Sequence, residues 1–420
     1  MSELRPPAPR RGTNLPKMGD FNLTVILDAI RRSTSGLSRV ELAQIVGLSP
    51  QTISNISRRL LDQGLIVEAG KYGNGPGKPR TILRLNPAGM YAVGVHLDPA
   101  VTTCVLLDLV GNVVQQESFG TPDAGGPRAV VDSLAAAVTK LVSDSGVNAE
   151  SIAGLGVSAP GPIDRDQGTV VDPPLLDGWN RVALRDAVAK ATGMETILDK
   201  DVTGAAVAET WAGGDTGTGS FVFFYIGTGI GCSIVLEDEV VRGISGNAGE
   251  MGHIMVDPEG AECDCGLRGC VKVACIPPVM VAAAVAAGLV PDARQDESIG
   301  SGTCLQERFA ALLDLADEGN DEALAIIDRS AVLISRAVSA ITNVLDVERA
   351  VFGGPFWSRL APYYLDRLPE LVNTSSSTRD IHEIEIASSG VGEDVGAVGA
   401  ACLVLEHVLA PKAQRLLLQN

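Results

Sequence analysis

The stretch GNAGEMGHIMVDPEGAECDCGLRGCVKV, residues 246–273, places three cysteines within eight residues and a histidine ten residues before the first of them. Cys263, Cys265 and Cys270 follow the pattern C-x-C-x4-C, and His253 can add an imidazole to their three thiolates. One imidazole and three thiolates make the closed tetrahedral ligand set that is typical of structural zinc. The spacing therefore predicts a structural Zn2+ site with these four ligands.

Two glycines support the metal interpretation, and several alternatives stay open. Gly266 and Gly269 permit the sharp backbone turns that bring the sulfurs together. Cys275 is the rival for the fourth ligand position. Unliganded buried thiols and a disulfide are the other interpretations of such a cluster.

The remaining composition is that of a soluble cytoplasmic protein. The 420 residues have room for two or three domains, and 45% of them are hydrophobic. We find no run of 18 apolar residues and no apolar segment near the N-terminus, which argues against a membrane span and against a signal peptide. In a reducing compartment, clustered thiols among the eight cysteines bind metal more often than they form disulfides.

The charge is divided unevenly along the chain. The net charge is −18, but residues 1–84 contain 13 Lys/Arg and 6 Asp/Glu, a net of +7. The other 336 residues contain 20 Lys/Arg and 45 Asp/Glu, a net of −25. A basic head on an acidic body is typical of a nucleic-acid-binding module joined to a soluble effector domain.

Residues 38–64, SRVELAQIVGLSPQTISNISRRLLDQG, predict a helix-turn-helix. Ser38 and Glu41 form a capping-box pattern that opens a short helix, which ends at a tight turn containing Gly47. Ser49 then caps a second helix with Pro50 at its first position. The second helix of such a pair enters the major groove of double-stranded DNA.

The second helix carries the side chains that this function needs. Short polar groups near its start can reach base edges, and two arginines further along would lie nearer the phosphates. These candidate DNA-binding residues are Gln51, Thr52, Ser54, Asn55, Arg58 and Arg59. A generic helical hairpin with a solvated basic face is the alternative.

The segment after this helix predicts a wing of two strands around a basic loop. Within it, GPGKPR (residues 75–80) supplies Lys78 and Arg80, which could enter the minor groove of an A·T-rich flank. A charged interdomain tether explains the same composition equally well.

From residue 90 onward, β and α segments alternate in two similar halves, which predicts an α/β body. IGTGIG (residues 226–231) is followed by a β-branched strand, so it does not fit the strand–loop–helix order of a dinucleotide-binding fold. Gly227 and Thr228 within it can line a cleft, or they can simply form a hairpin.

These segments resemble the ROK family of repressors, uncharacterised reading frames and sugar kinases. The zinc stretch, GVSAPGPIDRDQGTVV, DVTGAAVAE, IGTGIG and VFGGP match the family's motifs in order, and the winged helix matches its repressor branch. The resemblance implies an actin-like, hexokinase-type body of two lobes. We expect a disordered tail at 1–20, the winged helix-turn-helix at 21–86, the first lobe at 88–204 and the second lobe, with the zinc motif, at 205–405. The final helix is expected to pack back on the first lobe.

The chain departs from the kinase members of this family at the phosphate loop. There the first strand carries D-x-G-x-T, whereas this chain has HLDPAVT, with His96 in the place of the aspartate and Asp98-Pro99 in the place of glycines. A carboxylate and a proline without an N–H cannot cradle a triphosphate. We therefore expect no kinase activity, and Asp201 is expected to be a vestigial catalytic base.

The resemblance also implies a sugar site. It would include Asp201, Glu250, His253, Lys200, Lys272, Gly227 and Thr228. Lys200 and Lys272 replace residues that face the sugar in relatives, so two added positive charges predict an anionic ligand such as a sugar phosphate or sugar acid. Capping, core pairing or support of the zinc site are the alternative roles of Glu250 and His253.

Together these features predict a transcriptional regulator, a repressor of carbohydrate-related genes, that acts as a homodimer or tetramer on an operator and responds to a sugar or sugar phosphate. An ATP-dependent sugar kinase with a DNA-binding head is one alternative. A ligand-independent or zinc-responsive regulator is the other.

Overall fold

The computed structural model describes residues 15–72, 80–122, 125–173, 176, 178–292 and 302–409. Lys78, one of the residues expected to bind DNA, lies outside these ranges. No helix within them is long and apolar enough to cross a membrane.

The head is a three-helix unit closed by a small antiparallel sheet with strand order β1-β3-β2. Its elements are α1 (Leu15–Arg31), β1 (Leu37–Ser38), α2 (Arg39–Val46), α3 (Pro50–Asp62), β2 (Ile66–Tyr72) and β3 (Arg80–Leu85). The helix α1 begins within the stretch expected to be a tail, because Leu15 and Met18 continue the helical spacing of Leu23 and Ile26.

Local sequence explains the head's helix boundaries. Ser38 Oγ accepts from the backbone N–H of Glu41, and the Glu41 carboxylate accepts from Ser38 N at 2.8 Å, so the predicted capping box is confirmed. Gly47 ends α2 with φ at 67°, and Ser49 accepts from Thr52 N to open α3. The paired strands β2 and β3 form the predicted wing.

The body has two lobes, each built on a five-stranded sheet. The first lobe contains β4 (Tyr91–Leu97), β5 (Val101–Asp108), β6 (Val113–Gly120), α4 (Gly126–Ser145), β7 (Ile152–Ala159), β8 (Ile163–Asp164), β9 (Thr169–Val170), α5 (Leu184–Thr192) and β10 (Thr196–Lys200). The helix α6 (Asp201–Ala212) leads into the second lobe.

The second lobe follows the same plan with more helices. It contains β11 (Phe221–Ile226), β12 (Ile230–Leu236), β13 (Glu239–Val241), α7 (Val271–Ala274), α8 (Pro277–Ala286), α9 (Gly302–Asp317), α10 (Asp321–Leu345), β14 (Arg349–Gly353), α11 (Trp357–Ser375) and β15 (Glu385–Ser388). The chain ends its described part in α12 (Val395–Leu409).

The two sheets have the same connectivity. Their strand orders are β10-β7-β4-β5-β6 and β13-β12-β11-β14-β15. In each sheet the first strand of the lobe pairs antiparallel with the second and parallel with a later strand. The two similar halves read from the sequence are therefore one topology used twice.

The helices α6 and α12 lie between the sheets. The helix α12 packs on β4 and β7 of the first lobe, and α6 packs against β11 and β12 of the second. Glycines permit this contact, since a Cβ at Gly94 would fall 2.1 Å from the carbonyl oxygen of Ala397 and one at Gly156 would fall 1.8 Å from that of Ala400.

The head is joined to the body by a shared apolar core. One buried cluster includes Ile26, Leu27 and Ile30 of α1 together with Leu109 of the first lobe and Leu409 of α12. Burying apolar surface stabilises by roughly 25 cal/mol per Å². The predicted fold, a winged helix-turn-helix followed by a two-lobed α/β body, is confirmed.

Candidate functional site

The helix α3 presents a polar face to solvent and an apolar face to the head's core. Gln51 and Asn55 are exposed, one helical turn apart, and the Gln51 side-chain amide donates to Asn55 Oδ1 at 3.2 Å. Arg58 and Arg59 are exposed one turn further along the same helix, whereas Ile53 and Leu60 are fully buried. Side chains three, four and seven positions apart share a helix face, so the polar set forms one surface.

Two candidate residues near the start of α3 are less exposed, and one of them contacts the N-cap of the helix. Thr52 and Ser54 are half-buried, and the hydroxyl of Thr52 lies 2.9 Å from that of Ser49, the N-cap. In the wing, Arg80 is exposed at the first position of β3. Among the described members of the predicted set, Gln51, Asn55, Arg58, Arg59 and Arg80 are therefore the exposed ones.

The predicted metal ligands lie together. One ligand atom from each of His253, Cys263, Cys265 and Cys270 falls within 4.8 Å of every other. Cys265 Sγ is 3.6 Å from Cys270 Sγ, and Cys263 Sγ is 3.5 Å from His253 Nδ1. A tetrahedral zinc with metal–sulfur bonds of about 2.3 Å has ligand–ligand edges of roughly 3.8 Å. The four side chains thus form a cluster of the size that a tetrahedral metal requires.

The backbone of the cysteine loop holds the cluster in shape. Cys263 N donates to the carbonyl oxygen of Leu267 at 2.8 Å. Gly269 has φ of 59°, and a Cβ on it would fall 1.6 Å from the carbonyl oxygen of Asp257. Only glycine fits at this position, because any side chain would collide with the backbone.

The pKa values of two thiols in the cluster are shifted in opposite directions. Burial, followed by hydrogen bonds from the neighbouring thiols, raises the pKa of Cys270 to about 12. The backbone N–H of Leu267 lowers the pKa of Cys265 to about 7. Three thiols held this close ionise together only when a positive charge lies between them.

Lys200 and Glu250 form an ion pair across the two lobes. Lys200 ends β10 with only 4% of its side chain exposed, and its Nζ donates to Oε1 of Glu250, which follows β13. Asp201, the next residue, begins α6, and burial raises the pKa of its carboxyl, against the opposing charges of His96 and Lys200.

Lys272 does not supply a free charge to the cleft. Its Nζ bonds both carboxylate oxygens of Asp264, at 3.1 Å and 2.9 Å, and these bonds lower the pKa of Asp264 to about 2. The two lysines whose charges were expected to favour an anionic ligand, Lys200 and Lys272, are therefore each paired with a carboxylate. Neither pairing was predicted, because Glu250 was expected to contact the ligand and Asp264 was not considered.

Further contacts tie the lobes together beside this pair. Asn247 accepts from Ile163 N and donates to the carbonyl oxygen of Ile163, both at 2.8 Å. Arg242 donates to the fully buried carboxylate of Asp199 at 2.9 Å. These residues lie on opposite lobes, so together with the Lys200–Glu250 pair the lobes are bridged at three places.

The turn after β4 meets the glycine hairpin of the second lobe. Asp98 accepts from Ala100 N at 2.8 Å with one carboxylate oxygen and from the Thr228 hydroxyl at 3.3 Å with the other. Gly227 and Thr228 lie in the turn between β11 and β12, as the sequence predicted. His96 lies at the adjoining wall, 92% buried.

Sequence reasoning missed the junction between head and body. Arg31, at the end of α1, donates to the carbonyl oxygens of Thr210 at 2.9 Å and Trp211 at 3.1 Å, and its guanidinium lies 4.5 Å from the Trp211 ring centroid. Arg32 pairs with Asp238 of the second lobe at 2.7 Å. The paired basic residues in IRRS were the available signal, but their partners in the body lie about 180 residues away for Arg31 and 206 for Arg32.

The fold and these sites define a DNA-binding module of the winged helix-turn-helix class attached to a two-lobed body with a metal-ligand cluster. Residues 25–67 match a family described as winged helix-turn-helix DNA-binding, and residues 92–407 match the ROK family. The second match spans most of the chain. The protein belongs to the ROK family.

Relatives include both regulators and kinases. The chain is 24% identical over 375 residues to a xylose repressor of Caldicellulosiruptor bescii, covering 89% of this chain and 93% of that protein. It is 29% identical over 320 residues to a glucokinase of Thermotoga maritima, covering 75% of this chain and 98% of the enzyme. A crystal structure of a ROK family transcriptional regulator, a homologue of the E. coli MLC protein, aligns with a TM-score of 0.73 at 22% identity, covering 94% of this chain and 97% of that one.

Proposed function

We propose that this protein is a DNA-binding transcriptional regulator, a repressor of genes for carbohydrate use, whose body binds a sugar. The observation that carries the proposal is the fusion of a winged helix to ROK lobes through one continuous core. A xylose repressor matches nearly the whole chain, head included, whereas the glucokinase match covers three quarters of it.

The exposed polar face of α3 is the proposed DNA-reading surface. Gln51 and Asn55 offer amide groups of the kind that pair with adenine in the major groove, and Arg58 and Arg59 offer charges for the phosphates. Arg80 and Lys78 of the wing are proposed to contact the flanking backbone or minor groove. Two copies of the chain would read a pseudo-palindrome with two such heads.

Asp201 and Glu250 are the proposed acceptors of sugar hydroxyls, and Gly227, Thr228 and His253 are proposed to contribute to the same site. His253 directs Nδ1 toward the cysteines, so Nε2 remains for a ligand hydroxyl or a supporting contact. Because Lys200 and Lys272 are both paired, we favour a neutral sugar over a sugar phosphate. A sugar that competes with Lys200 for Glu250 would alter the bridge between the lobes, which links binding to lobe geometry.

We infer that the body does not phosphorylate its sugar. The Asp98 carboxylate and Pro99 occupy the turn where kinase members of the family carry glycines, and a negative side chain there repels phosphate oxygens. Asp201 would retain only the ability to accept a hydrogen bond. A coupled assay of ADP release with ATP and each sugar tests this, and turnover on any of them would restore the kinase alternative.

The His253 and cysteine cluster is proposed to bind structural zinc. The four side chains fit a closed tetrahedral site, which leaves no open coordination position for a substrate. Bound there, the ion would hold the loop that follows Glu250 and so support the sugar site. DNA affinity measured across buffered zinc concentrations separates this role from a zinc sensor, which would release or bind DNA as free zinc changes.

The central experiment selects DNA from a random double-stranded pool and then titrates the selected site with sugars. We expect a pseudo-palindromic site whose affinity falls in one of xylose, glucose or N-acetylmannosamine, chosen because relatives are named for these sugars. Asn55→Ala should lose sequence preference, and Arg367→Ala, on the body surface, should not. Failure of the intact chain to select any sequence would refute the DNA-binding proposal.

A further inference from the structure

A cavity of about 480 Å³ lies between the lobes, beside the Asp98 turn and separate from the Lys200–Glu250 bridge. Its walls come from β4, β5, β11 and the starts of α11 and α12, together with α9. Small-molecule sites in proteins have volumes of about 300–1,000 Å³, so the cavity has room for a small organic ligand.

The cavity wall is acidic. Asp98, Glu393 and Asp394 line it. Arg359 is the one Lys or Arg among the described lining residues, and it is paired with Asp314 at 2.8 Å and Asp317 at 3.0 Å. The surroundings of the cavity therefore have an excess of negative charge, which opposes any phosphate-bearing ligand and favours a cation.

Two buried polar side chains face the cavity without partners. Tyr225 is 4% exposed and His96 is 8% exposed, and both line the wall. In the part of the chain that the structure describes, neither the Tyr225 hydroxyl nor a ring nitrogen of His96 makes a hydrogen bond. Neither the hydroxyl nor the ring nitrogens are among the fully enclosed polar atoms of the described residues, so they are open to the cavity. Their free atoms mark a position where a ligand can supply hydrogen-bonding groups.

The aromatic rings are fixed in place. His96 and Tyr225 meet edge to face with centroids 5.9 Å apart. A Cβ on Gly396 would fall 2.8 Å from the His96 ring, so α12 holds that ring closely. On the other wall, Phe309 and Phe356 also meet edge to face, at 5.0 Å. Rings combined with carboxylates are the arrangement that binds organic cations, by cation–π attraction and by charge.

The negative charges around the cavity act on Tyr225, which lies in its wall. Burial raises the pKa of Tyr225 well above its usual value, and the charges of Asp98, Asp201 and Asp394 raise it further. Two of the three carboxylates in the wall already accept hydrogen bonds. Asp394 Oδ2 accepts from Gln116, and Asp98 accepts from Ala100 and Thr228. Glu393 is exposed, and no hydrogen bond or ion pair of its side chain occurs among the described residues.

We propose that this cavity binds a small organic cation, a protonated or quaternary amine with an apolar body, as a second ligand beside the proposed sugar. The ammonium group would lie among Asp98, Glu393 and Asp394, and the body would contact Tyr225 and the phenylalanines. Since both lobes contribute to the wall, such a ligand acts on the same lobe geometry as the sugar. This assignment does not depend on the DNA-binding proposal.

The test measures binding to the full chain by calorimetry, with choline, agmatine and spermidine as probes. The neutral isostere of choline, 3,3-dimethyl-1-butanol, and the ATP analogue AMPPNP serve as the uncharged and anionic comparisons. We expect at least one amine to bind, and both comparison compounds to bind at least about tenfold more weakly than that amine. Binding of none of the amines up to millimolar concentration, or tighter binding of AMPPNP, overturns the proposal.

Variants locate the site. Glu393→Gln and Asp98→Asn should each weaken amine binding roughly tenfold, whereas Asp132→Asn, an exposed carboxylate on α4 that does not line the cavity, should leave it unchanged. If Asp98→Asn fails to fold, Glu393→Gln still decides, because its side chain is exposed. Amine binding that survives both cavity variants places the cation elsewhere and overturns the assignment.

Discussion

Replacing Arg31 by methionine should loosen the head from the body while leaving the proposed DNA-reading face of α3 intact. The Arg31 side chain is 9% exposed, and its guanidinium donates to Asp28 and to the carbonyl oxygens of Thr210 and Trp211. Methionine keeps most of the apolar stem but removes every donor. Two carbonyl oxygens at the end of α6 then lose their charged partner.

The magnitude follows from the contacts. A hydrogen bond to a charged group contributes about 1.5–3 kcal/mol, and the cation–π contact with Trp211 about 0.5–1 kcal/mol. These terms overlap and water recovers part of them, so we expect docking of the head to weaken by about 2–4 kcal/mol. The apolar part of the junction, including Leu27 and Leu409, remains.

Hydrogen exchange measured by mass spectrometry is the assay. Protection should fall in α1 and in residues 210–217, while that of α3 and of β11 should stay unchanged. Operator affinity should change little, but its response to sugar should shrink, because the body can no longer position the head. Arg367→Met, which removes a surface ion pair with Asp328, is the matched control. Unchanged exchange in α1 together with a normal sugar response would refute this account of the junction.

Three further outcomes are expected. Cys265→Ser should abolish stoichiometric zinc measured by atomic absorption and lower the melting temperature; a zinc-free variant with wild-type stability would contradict a structural role. Gly266→Ala should lower the free energy of unfolding by about 1 kcal/mol because of the positive φ, since no atom lies within 4 Å of the new Cβ. Gly269→Ala should lose the metal, because its Cβ would collide with the backbone of Asp257. Chemical denaturation and zinc content distinguish the two variants. Asp201→Asn should raise the melting temperature at neutral pH. Burial raises the carboxyl's pKa, so ionisation destabilises the fold as pH rises through the unfolded and folded pKa values; the gain should vanish at low pH, and a gain that persists there would contradict this cause.

Features set by neighbours in sequence were predictable. The capping box at Ser38, the turn at Gly47 and the cysteine spacing each depend on residues within ten positions, and the structure has them as expected. The repeated lobe topology was also readable, because alternating β and α segments recur in the same order.

Contacts between residues far apart in the sequence were not predictable. Asp264 lies eight residues from Lys272, but the direction of that lysine depends on how the cysteine loop folds. Glu250 was named as a sugar ligand, and only the structure shows that it pairs with Lys200, 50 residues away. Residues of the cavity beside the Asp98 turn come from six separate parts of the chain, and no spacing in the sequence brings His96 and Tyr225 together.

The shared core between head and body has a consequence for protein engineering. In a domain exchange, the head of one such protein is grafted onto the body of another. Here a graft cut at residue 86 would separate Arg31 from Trp211 and Leu27 from Leu409, exposing apolar surface on both pieces. A working chimera would have to carry the matching face of α12 and the end of α6 with the new head. The head of this protein is therefore exchangeable only together with the surface of α6 and α12 on which it packs.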